Sequence, residues 1–305
     1  MGGGLNKAGV LLADRFLIMQ INAQTKLCGL LGNPVEHSLS PAIHNAAFEK
    51  LGLNFVYLAF RVEDIAGAIR GIRALGNVRG FSVTIPHKLA VIPHLDEVET
   101  TAKHIGSVNT IVVEKGKLTG YNTDATGALR ALRDGGVRLE GQRVLMLGSG
   151  GAARAIAFAL AADPAGPSIA GLTILGIEEQ ERRGLVRDLR ARTRLPVEDG
   201  PISEEALRRG IKNSAILIHC TPLGMHPKVE ETCVPAALLS PQLTVMDIVY
   251  NPLETRLLRE AKAAGCRTIR GLEMFLHQAV AQFELWTQQP APADVMRAVL
   301  ESRFS

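Results

Sequence analysis

The chain has 305 residues and a mass of 32.7 kDa, which at about 150 residues per domain points to two domains. Apolar residues make up 47% and charged residues 21%, the balance of a folded globular protein, and no uncharged stretch reaches the roughly 18 residues of a spanning helix; disordered, fibrous and membrane classes are excluded. The 34 basic and 30 acidic side chains are spread along the chain for a net charge of +4, with no basic block and one Trp and three Tyr for base stacking, so nucleic acid is excluded as a partner.

Residues 1–24 read as a Gly-rich N-terminal extension without the features of a signal peptide; Met19 lies just before the first strand, so 1–18 reads as an upstream-start segment. From Lys26 the pattern alternates short apolar strands with amphipathic helices. Strands are expected at Leu27–Leu31, Phe55–Val62 and Phe81–Ile85, with a helix opened by Ser40-Pro41 and running to Leu51, and another over Asp64–Leu75. A helix over Glu97–His104 leads to a hairpin of Asn109–Val113 and Leu118–Asn122 that turns at Lys115-Gly116-Lys117. After a helix over Asp124–Asp134, strands follow at Arg143–Gly148, Leu172–Ile177, Ala215–Cys220, Thr244–Tyr250 and Thr268–Arg270. The expected fold class is α/β with two domains: an α/β domain over 25–123, and a Rossmann-type doubly wound parallel sheet over 124–271. The last helices, Leu272–Trp286 and Ala293–Glu301, are expected to fold back and complete the first domain with 272–305.

Cys28, Cys220, Cys233 and Cys266 form no C-x-x-C pair or zinc spacing, which suits reduced thiols and a cytoplasmic location. His37 and His44 are seven positions apart across a proline, so no metal site is expected.

The segment Gly148-Ser149-Gly150-Gly151-Ala152-Ala153 lies between a strand and a helix, where backbone amides and the helix dipole suit a pyrophosphate; the competing reading is a close strand–helix crossing. Ser38 and Ser40 stand two residues apart at a helix start, a geometry that suits a carboxylate, although helix capping alone explains Ser40. Val83-Thr84-Ile85-Pro86-His87-Lys88 delivers a lysine just past a strand end, where open α/β sheets place ligands and where a lysine is often a solvated loop charge. Ile105-Gly106-Ser107-Val108-Asn109-Thr110 and Gly120-Tyr121-Asn122-Thr123-Asp124 add amide and carboxylate groups, with Asp124 also placed to cap the next helix.

In this order, and joined by Cys220-Thr221-Pro222-Leu223-Gly224-Met225 and by Asp247-Ile248-Val249-Tyr250-Asn251-Pro252 with Thr255, these motifs resemble the shikimate dehydrogenase family over Thr25–Trp286. The resemblance implies an oxidoreductase that interconverts 3-dehydroshikimate and shikimate with NADP(H), with NAD as a second possibility, in the route to chorismate and the aromatic amino acids. It implies a substrate domain and a Rossmann domain with the active site in the cleft between them. It assigns Ser38, Ser40 and Tyr250 to the substrate carboxylate, Thr84, Asn109 and Gln278 to ring hydroxyls, and Lys88 and Asp124 to a catalytic pair. Gly148, Ser149, Gly150, Gly151, Ala152 and Ala153 would form the pyrophosphate loop, Thr221, Met225 and Gly271 the nicotinamide side, and Arg154, Arg182 or Arg183 a contact to a 2′-phosphate.

Three positions depart from the family pattern. Ser82 replaces a common asparagine, His219 stands where an asparagine usually precedes the Thr-Pro turn, and Gly176-Ile177-Glu178-Glu179 replaces Asn-Arg-Thr, with Glu178 placed to accept from the ribose hydroxyls of NAD. The rival readings are a quinate/shikimate dehydrogenase paralogue preferring NAD, which the two serines argue against, and a silent nucleotide-sensing module, which has no use for both Lys88 and Asp124. Oligomeric state is not set by these residues, and a homodimer stays open.

Overall fold

The computed structural model describes residues 21–161 and 169–304; most of the expected N-terminal extension lies outside them. The chain enters the fold at Asn22, whose backbone N–H donates to Thr25 Oγ1 and whose side chain accepts from Asn54.

Two β-α-β units open the first domain: β1 (Lys26–Gly32), α1 (Ser40–Lys50), β2 (Phe55–Arg61), α2 (Ile65–Arg73) and β3 (Val78–Val83), with β1 parallel to both neighbours. α2 shows why such segments become helix: Asp64 caps it by accepting from the Gly67 N–H, and Ile65, Ile69 and Ile72 form one buried stripe. Then come α3 (His87–Ala90), β4 (Glu97–Val98), α4 (Thr100–Ile105) and the hairpin of β5 (Thr110–Glu114) and β6 (Lys117–Tyr121). The hairpin turns on Lys115 and Gly116, whose φ angles of 51° and 80° are the positive pair that a tight two-residue turn requires. The sheet order is β2-β1-β3-β5-β6-β4, with β5 antiparallel to β3 and β6.

Of the boundaries that differ from the sequence reading, two have a plain cause in this domain. The third strand ends at Val83 rather than Ile85, because Thr84 N–H turns to Leu31 O and His87 N–H returns to Thr84 O. The helix expected from Glu97 starts at Thr100: Glu97 and Val98 pair with β6, and the Glu99 carboxylate caps the helix by accepting from the Thr101 and Ala102 N–H groups.

The second sheet is all parallel. After α5 (Thr123–Asp134) it contains β7 (Arg143–Leu147), α6 (Gly151–Ala161), β8 (Gly171–Leu175), α7 (Glu179–Arg192), β9 (Val197–Gly200), α8 (Glu204–Lys212), β10 (Ile216–His219), β11 (Thr244–Asp247), α9 (Arg256–Ala263) and β12 (Arg267–Ile269), in the order β12-β11-β10-β7-β8-β9. The chain reverses its direction of travel between β7 and β10, and ligands of such sheets bind at that crevice, beyond the carboxyl ends of the strands. β9 was not expected: Val197-Glu198-Asp199-Gly200 has one apolar residue and becomes a strand only through pairing with β8.

α10 (Gly271–Thr287) and α11 (Ala293–Ser302) follow the last strand and pack against α1 and the first sheet. Leu272, Leu276, Phe283, Trp286, Met296 and Leu300 share a core with Ile43, Phe48 and Tyr57. Gly80 is glycine for this reason, since a Cβ there would overlap Trp286 Nε1 and Ile111 O. No helix among the described residues is long and apolar enough to cross a membrane.

Candidate active site

The site residues gather on facing rims. In the first sheet the carboxyl ends of β1, β3 and β6 and the amino end of antiparallel β5 share one edge, which carries Ser38, Ser40, Thr84, Lys88, Asn109 and Asp124. In the second, the carboxyl ends of β7, β8, β10, β11 and β12 carry the glycine loop, Glu178, Thr221 to Met225, Tyr250 and Gly271. The rims meet where α6 begins: a Cβ on Gly151 would lie 3.4 Å from Lys88 Cδ.

α3 holds Lys88 in place. The His87 ring contacts Val62 O at 2.8 Å, and Val108 N–H donates to Lys88 O. Lys88 Nζ then reaches Asp124 Oδ2 at 2.6 Å, with the two side chains only 14% and 9% exposed. Asp124 sits in the first turn of α5, whose cap is Asn122, not Asp124: the Asn122 side chain accepts from the Ala125 N–H. That leaves Asp124 Oδ1 to accept from Asn109 Nδ2 at 2.8 Å, while Asn109 Oδ1 accepts from the Thr123 N–H and the Thr110 hydroxyl. A buried ammonium–carboxylate pair with its second oxygen hydrogen-bonded is the arrangement that keeps a proton-transfer group oriented in a site of restricted water access.

This network runs further than sequence reasoning carried it. Gln282 on α10 donates to Thr110 Oγ1 and to Asn109 O, and accepts from the Ser82 hydroxyl, which accepts from Tyr57 OH at 2.7 Å. Ser82 therefore belongs to the buried support of Asn109. Gln282 lies one helical turn beyond Gln278, and that spacing was the available signal.

Ser40 does not cap α1. The cap position is Leu39, whose side chain makes no capping bond, and it is Ser38 Oγ that accepts from the Ser40 N–H, at 3.3 Å. Ser40 is nearly buried at the helix entry beside Pro41, so the capping explanation gives way. Tyr250 stacks on Phe275 with centroids 4.5 Å apart, and burial raises its phenol above the usual range. Gln278 Nε2 donates to the backbone Phe275 O, so Tyr250 and Gln278 contact the same residue; Gln278 also packs on Gly127 of α5.

The glycine loop fits a dinucleotide. Gly148 has φ of 104° and would press a Cβ to 2.8 Å from Cys220 O, while Gly150 has only Glu181 Oε1 within 4 Å of its Cβ position, leaving bare amides ahead of the eleven-residue α6. Ala152 and Ala153 form the first turn of that helix, and Gly271 is needed because a Cβ would overlap Val249 O. Met225 is 46% exposed.

Comparison with known proteins follows this geometry. Residues 30–111 match the family model for the shikimate dehydrogenase substrate binding domain, and 271–301 that for the shikimate 5′-dehydrogenase C-terminal domain. A shikimate dehydrogenase (NADP(+)) of Moorella thermoacetica is 47% identical over 289 residues, covering 93% of this chain and 95% of the relative. The chain belongs to the shikimate dehydrogenase family. A crystal structure of a shikimate dehydrogenase in complex with NADP⁺ aligns with TM-score 0.86 at 39% identity, covering 94% of this chain and 98% of that one. Another, from Listeria monocytogenes in complex with shikimate and NAD, aligns with TM-score 0.85 at 38% identity over 92% and 98%.

Each of the three arginines expected near the cofactor has a partner within the fold. Arg182 is buried, its Nε on Asp199 and its Nη1 on Gly176 O. Arg154 is held by Asp188 at 2.6 Å, by Ile105 O and by the Phe158 ring, which commits it to joining α6 to α4 and α7. Arg183 is exposed and pairs with Glu179. Glu178 precedes α7, exposed and without a capping bond, beside Ile177 at 79% exposure.

The family's unusual His219 is a structural group. Nδ1 lies 2.9 Å from Asp247 Oδ1 and Nε2 2.5 Å from Thr221 Oγ1, while Thr255 Oγ1 donates to Asp247 Oδ2. Burial alone would lower the imidazole, but the Asp247 hydrogen bond and charge, with the Cys233 thiol, outweigh it and raise His219 to about 9. Its folded value thus exceeds the unfolded value of about 6.5, so the pair's stabilisation is complete below about 6.5 and is lost as pH rises through about 9. We expect the melting temperature to fall between about pH 7 and 10 more steeply for the parent than for His219→Asn, measured by calorimetry; parallel curves would refute the charged pair.

Proposed function

We propose that the protein catalyses the reversible NADP(H)-dependent reduction of 3-dehydroshikimate to shikimate. The observation that carries this reading is the Lys88–Asp124 pair, 2.6 Å apart and facing the start of the phosphate-loop helix, in a member of this family. The bound cofactor supplies or accepts the hydride at the carbon that bears the reacting oxygen. Lys88, held by Asp124, gives a proton to that oxygen during reduction and takes it back during oxidation; Asn109 keeps Asp124 oriented and is placed for a ring hydroxyl. Ser38, Ser40 and Tyr250 are assigned to the substrate carboxylate, a role supported for the serines by their place together at the start of α1; Thr84 and Gln278 are assigned to ring hydroxyls. A substrate domain of 25–123 completed by 272–305, and a dinucleotide domain of 124–271, are supported by the two sheets and the return of α10 and α11. Four unpaired thiols support a cytoplasmic location.

The test mixes the protein with shikimate or quinate and with NADP⁺ or NAD⁺, and follows reduced-cofactor absorbance. Oxidation of shikimate is expected; oxidation of quinate alone, or of neither, overturns the reading. A Ser38→Ala/Ser40→Ala double variant should raise KM for shikimate with a smaller change in kcat, since each hydroxyl–carboxylate hydrogen bond contributes about 1.5 to 3 kcal/mol. An unchanged KM with a much lower melting temperature would make these serines part of the scaffold alone.

A further inference from the structure

The cofactor end of the second sheet carries an acidic side chain with no role in the mechanism above. Glu181, in the first turn of α7, reaches back to the glycine loop, where Oε2 accepts from Ser149 Oγ at 3.0 Å. Its Oε1 lies 3.8 Å from the Cβ position of Gly150, and Ser149 Oγ lies 3.3 Å from that of Gly176. Phosphate loop, β8 end and carboxylate therefore converge on one point. In a doubly wound sheet the adenosine ribose lies there, between the glycine loop and the end of the second strand.

The charges around that point are mostly negative. Glu178 and Glu179 flank it, Arg183 pairs with Glu179 at 2.7 Å, and Arg182 is turned inward onto Asp199 and Gly176 O. A carboxylate accepts hydrogen bonds from ribose hydroxyls, whereas a 2′-phosphate offers it no proton and adds like charge. Glu178 has no comparable tie to the loop.

We propose that Glu181 is a specificity-determining residue for the cofactor: held over the ribose pocket by Ser149, it accepts from the 2′-hydroxyl of NAD(H) and opposes the 2′-phosphate of NADP(H), so that the protein uses both. The inference rests on the dehydrogenase reading and moves the acidic determinant from Glu178, the residue expected from sequence, to Glu181. The test measures Kd for NADP⁺ and for NAD⁺ by calorimetry, with kcat/KM beside it, in the parent, Glu181→Gln and Glu178→Gln. Glu181→Gln is expected to shift the Kd ratio toward NADP⁺ by about fivefold or more, and Glu178→Gln by less. A ratio within about twofold of the parent in Glu181→Gln, a larger shift in Glu178→Gln, or no binding of either dinucleotide overturns it. A shifted Kd ratio in a protein that oxidises no shikimate upholds Glu181 while sinking the reaction assigned above.

Discussion

Lys88→Ala is expected to lower turnover by about 10²- to 10⁴-fold while the affinity for shikimate changes much less. The proton on the reacting oxygen needs a partner held within hydrogen-bond reach, and Lys88 Nζ is fixed by Asp124 Oδ2 at 2.6 Å in a site where both side chains are largely shielded. Alanine removes the donor and leaves Asp124 with Asn109 as its partner, so part of the loss is the cost of an unbalanced carboxylate. Measuring kcat and KM in both directions, with circular dichroism to confirm the fold, separates the two effects. A variant that kept more than about half the parent turnover would make Lys88 a loop charge and the mechanism wrong.

Trp286→Ala should cost about 3 to 5 kcal/mol of stability, the usual loss for a large aromatic in a core. Trp286 is fully buried, its Nε1 donates to Ile111 O at 3.0 Å, and its ring packs 5.1 Å from His44 and 5.8 Å from Tyr57. The bare backbone of Gly80 lies directly against it, so neighbouring side chains cannot easily fill the space. Because α10 also carries Phe275, Gln278 and Gln282, loosening its end should lower activity as well as stability. Urea unfolding gives the number; a loss below about 1 kcal/mol would show that α10 is held to the first sheet by its other contacts.

His44, stacked on Tyr57 at 4.6 Å, adds a pH dependence to the same core. Burial lowers its imidazole to about 3, below the unfolded value near 6.5, so the unfolded chain takes up the proton first. Stability from keeping His44 neutral is complete above about pH 6.5 and is lost as pH falls toward about 3, a decline that His44→Phe should reduce in acid unfolding curves.

The α/β rhythm, the parallel second sheet and the glycine loop were legible in the chain, because strand and helix periods and loop motifs are short-range patterns; the Lys88–Asp124 pair was expected only from the family resemblance. The return of α10 could be read too, since helices after a final strand need a second apolar face to cover. What the linear pattern does not contain is the set of partners that folding brings from far away. β9 exists only through β8, Ser82 and Gln282 meet across 200 residues, and Arg154 and Arg182 are turned inward by Asp188 and Asp199. A charged side chain reads the same in sequence whether it faces a ligand or an internal carboxylate. Only packing chooses between them, and here it tied two arginines to internal carboxylates and set Glu181 beside Ser149.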